Sequence, residues 1–271
     1  MKINFRGHDV RIATGGKSHD VASDRPALVM IHGSGMDRTT FQMQARWFAH
    51  HGYRVAAIDL PGHGLSGGEP LESIEEMGEW TAGVIHELGL APAHIVGFSL
   101  GTYVAIEAAA QDPTCAESLV LIGTASSMPV HPELLTSSYD DIPRASRLMT
   151  SWGIGSRAHR GGHQSPGTWL VGASTALVYR SPENALGHDM AACNAYQGAV
   201  SSAAKIQAPV TFVLGTEDKM TPIKKSGDLL DAVENKTVVR MDKIGHMMPI
   251  EDPIGARVAI ADATGWSGQR S

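Results

Sequence analysis

The chain has 271 residues, 22 Lys and Arg against 28 Asp and Glu, a formal charge of −6, and 42% apolar against 18% charged residues. These values predict one large α/β domain with an insertion, and they exclude global disorder and a nucleic-acid binder, which needs a basic stripe. No run approaches the ~18 apolar residues of a membrane helix, and Met1-Lys2-Ile3-Asn4-Phe5-Arg6 holds no apolar leader, so a cytoplasmic protein without a membrane anchor is expected.

In chain order, residues 1–14 pattern as two short strands around a turn at Gly7. After Pro26, short apolar runs alternate with amphipathic stretches. Strands are expected at 27–31, 54–59, 94–97 and 118–122, with helices at 38–50, at 101–111 and from Ser73, whose partner Glu76 completes a capping box. Repeated β-α-β of this kind calls for a mainly parallel sheet with helices on both faces. The rhythm breaks over 125–204, where apolar residues fall at helical spacing (144–152 and 168–179) around Gly161-Gly162 and Ser165-Pro166-Gly167. It resumes with a strand at 210–214, a helix near Pro222, a strand at 237–241 and a helix from Pro253. The simplest organisation is a core of 1–124 and 205–271 carrying a helical cap of 125–204.

Two segments match G-x-S-x-G, namely Gly97-Phe98-Ser99-Leu100-Gly101 and Gly64-Leu65-Ser66-Gly67-Gly68. Only Ser99 follows a predicted strand and precedes a helix, the setting that holds a serine in an exposed elbow. Ser99 is therefore the candidate nucleophile, and it needs a positioned base. Among 13 histidines, His246 in Ile244-Gly245-His246 lies just after a late strand, at the same carboxyl edge of the sheet. Asp218, in Leu214-Gly215-Thr216-Glu217-Asp218, ends the preceding strand and is the candidate carboxylate that fixes the imidazole tautomer, with Glu217 as its neighbouring alternative. Backbone donors for an oxyanion are expected from Leu100 and from His32-Gly33-Ser34-Gly35-Met36, with Ser34 preferred and Gly35 the alternative.

These segments, together with Asp59-Leu60-Pro61-Gly62-His63-Gly64-Leu65-Ser66, resemble the α/β-hydrolase superfamily along the whole chain. The resemblance implies the serine-nucleophile branch, similar to carboxylesterases and carbon–carbon bond hydrolases. It also implies that 59–66 is a structural turn, so that His63 is not catalytic. A serine at position 99 disfavours the branches that use an aspartate nucleophile.

Other patterns carry less. His159-x-x-x-His163 is interrupted by Gly161-Gly162, Gly33–Gly35 lacks the Lys-Ser/Thr of a phosphate loop, and Glu72, Glu75, Glu76 and Glu79 suit a solvated helix face. Cys115 and Cys193 form neither a disulfide scaffold nor a metal-ligand spacing. The expectation is a serine hydrolase of a small ester with an apolar part, using no cofactor, metal, nucleic acid or membrane. Candidate pocket residues are Gly33, Met36 and Met247 from the core and Met128, Trp152 and Trp169 from the cap, whose apolar residues also include Leu148, Met149 and Leu170. The rivals are carbon–carbon bond cleavage, a cofactor-free lyase or oxygenase, and a silent ligand receptor.

Overall fold

The computed structural model describes residues 1–164, 167–266 and 268, so Ser165 and Pro166 of the expected break lie outside the described residues. The strands are β1 (Lys2–Phe5), β2 (His8–Ala13), β3 (Ala27–Ile31), β4 (Arg54–Ile58), β5 (Ala93–Phe98), β6 (Ala116–Ile122), β7 (Val210–Gly215) and β8 (Lys236–Met241). They form one sheet in the order β1-β2-β4-β3-β5-β6-β7-β8. The pairs β1–β2 and β2–β4 are antiparallel, and every pair from β4 to β8 is parallel.

Helices α1 (Gln42–His50), α2 (Ile74–Glu87) and α3 (Leu100–Gln111) follow β3, β4 and β5 in turn. Among the described residues the insertion between β6 and β7 carries helices and no strand: α4 (Pro132–Asp140), α5 (Ile142–Gly153), α6 (Ser156–His159), α7 (Leu170–Tyr179), α8 (Ala185–Ala195) and α9 (Ala199–Ala203). The chain closes through α10 (Gly227–Ala232), α11 (Met248–Glu251) and α12 (Pro253–Ala263).

Side-chain alternation along the parallel strands splits the core in two. Val29, Ile31, Ile95, Leu119 and Phe212 pack with residues of α2 and α3 on one face. Leu28, Met30, Val96, Val120 and Val213 pack with α1 and α12 on the other, and this cluster runs on into α5, α7 and α8. A strand buried on both faces must be apolar at successive positions, which is why β3 is five buried residues in a row.

Local details differ from the sequence expectation in physical ways. The helix expected over 38–50 starts as a tight turn, Arg38–Phe41, capped by Asp37, before α1 proper. At α2, Ser73 accepts the Glu76 N–H as expected, but the Glu76 carboxylate reaches Glu72 N–H rather than Ser73 N–H. The four glutamates of this segment are exposed.

Two glycines set the spacing around the end of β5. A Cβ on Gly97 would lie 2.2 Å from the Gly101 carbonyl oxygen, and one on Gly101 would lie 2.4 Å from the Ile31 oxygen. Gly97→Ala should therefore force backbone apart and cost about 1–3 kcal/mol by overpacking, read as a lowered urea midpoint. An unchanged midpoint would show that the turn relaxes freely.

Candidate active site

Ser99 has φ +53° and ψ −121°, a left-handed backbone that a side-chain-bearing residue adopts only under constraint. Its N–H donates to Ile122 O at 2.9 Å, and Thr102 returns a backbone N–H and a hydroxyl to Ser99 O at 2.8 and 2.6 Å. The close β5–α3 junction leaves the chain no other way round. Ser99 thus stands at the head of α3, on the carboxyl edge of the sheet, with its side chain lining a cavity of about 440 Å³.

Asp218 and His246 arrive at the same edge from the ends of β7 and β8. The His246 Nδ1–H donates to Asp218 Oδ2 at 2.8 Å. Asp218 also accepts the Met220 and Thr221 N–H groups, each at 2.8 Å, and the Thr221 hydroxyl at 2.7 Å. Burial would raise the Asp218 carboxyl, but the neighbouring His246 and these hydrogen bonds outweigh it and hold it below the ordinary range. With Nδ1 committed as donor, His246 Nε2 is left as the acceptor, and it is buried with no hydrogen-bond partner among the described residues. His246 lines the same cavity as Ser99. Glu217 turns away, its carboxylate taking the Ser156 N–H and hydroxyl at 2.6 and 3.0 Å.

The loop bearing His246 is held by a buried carboxylate that the sequence did not single out. Glu251 Oε2 accepts the N–H groups of Gly155 and Gly245 at 2.9 and 3.1 Å, and Oε1 accepts that of Met247 at 3.1 Å. Burial nevertheless pushes the Glu251 pKa upward. Backbones meet closely here: a Cβ on Gly245 would lie 2.4 Å from Gly155 N, and His246 N–H donates to Gly153 O at 2.5 Å. The end of α5 therefore fixes the imidazole's loop.

The second G-x-S-x-G serine has a structural part. The Ser66 hydroxyl donates to Asp59 O at 2.9 Å and accepts the Arg11 N–H at 2.9 Å, which ties the 59–66 turn to β2.

In the 32–36 loop, the Gly35 N–H donates to Asp189 Oδ2 on α8 at 2.8 Å. That removes Gly35 as the alternative oxyanion donor. Ser34 lines the cavity, and Leu100 starts α3 directly after Ser99. Asp189 Oδ2 also accepts His63 Nε2 at 3.0 Å, while His63 Nδ1 faces Pro61 O at 2.9 Å. Both ring nitrogens face acceptors, the pattern of a doubly protonated, cationic ring. Burial opposes that charge, but Asp189 outweighs burial and the His63 pKa is raised. The neighbouring His32 has one acceptor at Nδ1 (Gly33 O) and one donor at Nε2 (Leu60 N–H), the pattern of a neutral ring. Burial first, and then the His63 charge, hold its pKa down.

Of the pocket residues expected from sequence, Met128 and Trp152 line the cavity, as does Met149. Trp169 does not: it is 74% exposed, at the start of α7 on the outer surface, because the apolar side of that helix is carried by Leu170, Leu177 and Val178. Gly33, Met36 and Met247 also fall outside the lining. Met36 and Met247 are buried in the core, and a Cβ on Gly33 would lie 3.2 Å from the Phe98 ring and the Ser99 Cβ, so there is little room beyond a glycine there. Leu148 and Leu170 likewise serve helix packing. Leu134, Met190, Cys193, Lys219, Met220 and Lys225 line the cavity without having been expected there. Cap residues at helical spacing give no sign of which side meets the sheet edge. No group of three metal-ligating side chains occurs among the described residues.

A family model described as alpha/beta hydrolase family matches residues 28–260. A pimeloyl-[acyl-carrier protein] methyl ester esterase of Methylococcus capsulatus is 29% identical over 241 residues, covering 82% of this chain and 88% of its own. A 2-hydroxy-6-oxononadienedioate/2-hydroxy-6-oxononatrienedioate hydrolase of Burkholderia vietnamiensis is 36% identical over 121 residues, 41% of this chain and 40% of its own. Among solved structures, the enol-lactonase of Burkholderia xenovorans superposes with a TM-score of 0.85 over 98% of this chain and all of its own, at 18% identity.

The His63–Asp189 pair makes two measurable differences. Asp189→Ala strands a buried cation and the Gly35 N–H, and should cost about 3–5 kcal/mol in denaturant titration. The raised pKa makes the pair's contribution complete below the ordinary value of ~6.5, with loss as pH rises through the folded-state value. Wild-type stability should therefore fall over that rise relative to His63→Gln, and parallel curves would contradict a protonated His63.

Proposed function

The chain belongs to the alpha/beta hydrolase family, and on that footing we propose that it is a serine hydrolase cleaving a carboxylic ester through an acyl-enzyme. One observation carries the proposal: His246 hydrogen-bonds Asp218 at 2.8 Å through Nδ1 and keeps an unpartnered Nε2 buried at the cavity that Ser99 lines.

In this mechanism His246 Nε2 takes the Ser99 proton as Ser99 Oγ attacks the ester carbonyl. The Ser34 and Leu100 backbone N–H groups hold the oxyanion of the tetrahedral intermediate. Its collapse breaks the bond to the alcohol oxygen, and the alcohol leaves with the proton from His246. Water then gives up a proton to His246 and attacks the acyl carbon, and as this second intermediate collapses Ser99 Oγ leaves with that proton from His246 and the acid is released. Asp218 keeps the imidazole in the Nδ1–H tautomer and stabilises the imidazolium.

Residues 125–204 act as the cap that reads the apolar part of the substrate over a core of 1–124 and 205–271. Met128, Met149 and Trp152 line the cavity from that segment and support this division. A second reading, carbon–carbon bond hydrolysis by the same residues, draws support from the likeness to the dienedioate hydrolase. It would be favoured by faster turnover of a dienol ketone than of any simple ester.

Ser99→Ala should lower kcat on the order of 10⁶-fold with the fold intact, and abolish labelling by a fluorophosphonate. Asp218→Asn should lower kcat roughly 10⁴-fold because the amide favours the wrong tautomer, whereas Glu217→Gln should cost little. Wild-type protein that neither labels nor turns over any ester would point to a silent ligand receptor.

The cavity wall gives a separate test. Trp152→Ala should shift the preferred chain length in a series of p-nitrophenyl esters by up to about 10–200-fold between neighbours, with Trp169→Ala leaving the profile as it was. A profile moved by Trp169 and not by Trp152 would overturn the assignment of the wall.

A further inference from the structure

The cavity wall is apolar over most of its extent, with Met128, Leu134, Met149, Trp152 and Met190 contributing. Its charged lining is of one sign. Lys219 and Lys225 line it, both exposed, and no Asp or Glu does among the described residues. In a chain of net charge −6, an acid-free mouth with two lysines departs from the average surface. Neither lysine is held in an ion pair among the described residues, so their ammonium groups are not already neutralised by a fixed partner. Glu217 lies close enough to Lys219 to share its field, which leaves Lys225 as the freer charge. Asp218 is buried, bonded to His246 and Thr221, and is not part of the cavity lining, so it does not reach a ligand at the mouth.

The geometry points to a substrate with an apolar body and an anionic far end: a half-ester of a dicarboxylic acid, whose free carboxylate sits at Lys225 and Lys219 while the ester lies at Ser99. This rests on the serine-esterase reading above and names its substrate class. The apolar wall takes the methylene chain. The lysines, at the wet rim, accept a carboxylate that keeps part of its hydration, so neither partner bears the cost of full desolvation. A one-signed mouth also draws the anion in from solution. Hydrolysis of such a half-ester gives a dicarboxylate and an alcohol, with water as the only co-reactant.

The test compares monomethyl adipate with methyl hexanoate, which share a six-carbon acyl chain and differ in the terminal carboxylate. Wild-type protein should favour the half-ester roughly 3- to 10-fold in kcat/KM, mostly through KM, with the ratio shrinking at 0.5 M salt as expected of a partly exposed pair. Lys225→Gln should remove most of that ratio, and the Lys219→Gln/Lys225→Gln double variant should bring it to about one. A wild-type ratio of one or less, or a ratio that survives the double substitution, overturns the proposal. Calorimetric binding of the same two molecules to Ser99→Ala protein reads the preference without turnover. If neither ester is cleaved but the half-ester still binds more tightly and loses that advantage with the lysines, the esterase reading falls and the anionic ligand stands. If both esters are cleaved with no preference, the reverse holds.

Discussion

The left-handed backbone of Ser99 is the constraint from which the rest of the carboxyl edge is arranged. Strain at such a residue is of the order of 1–3 kcal/mol and persists only where the surroundings over-determine it. Here they do: α3 begins so close to β3 and β5 that Gly97 and Gly101 have no space for a Cβ, and the Ser99 N–H is tied to β6. Once β3 and β5 to β8 run parallel in register, the loops after β7 and β8 open on the same edge as the elbow. Asp218 and His246, 28 residues apart in the chain, then meet without either leaving its own strand end.

Buried carboxylates aimed at backbone N–H groups do the next level of positioning. Glu251 gathers three such groups from the α5–α6 junction and the His246 loop, and Asp189 takes one from the 32–36 loop beside a protonated His63. A carboxylate in this position satisfies donors that a packed seam would otherwise leave unpaired, at the cost of its own desolvation. The opposite pKa directions of Asp218 and Glu251 follow from that balance. Asp218 has the His246 ring and the Thr221 hydroxyl bonded to it besides two backbone N–H groups, whereas Glu251 has only backbone N–H groups bonded to its oxygens.

Much of this was legible in the sequence because parallel strands and their glycines are local signals. Alternation places the strands within a few residues, and the strand-turn-helix setting separates Ser99 from Ser66 on sequence alone. The order of the strands is not encoded locally, but a serine, an acid and a histidine each placed after a strand restrict it. What was not legible depends on how the insertion is turned. Trp169 and Trp152 both stand in amphipathic stretches, yet α7 turns Trp169 to solvent and α5 turns Trp152 to the cavity. Asp189 and Glu251 belong to no motif, and their partners lie 126 residues away for the Asp189–His63 pair and 96 for Glu251 with Gly155. Cys193 is buried on α8, its sulfur 4.0 Å from Ser34 Oγ, a contact that no local pattern announces.

The bond from Gly35 to Asp189 bears on how such proteins diversify. Helical insertions look like exchangeable modules, because they enter and leave the sheet between two adjacent strands. In this chain α8 also anchors the loop whose next residue back, Ser34, faces the cavity, so a transplanted insertion lacking an acid at that place would carry its own selectivity while loosening the recipient's loop. Recombination between relatives would then succeed at the seam of the polypeptide and fail at the seam of the hydrogen bonds. The natural unit of exchange is α8 together with the 32–36 loop and the turn that holds His63, three segments scattered along the chain that must be inherited as one.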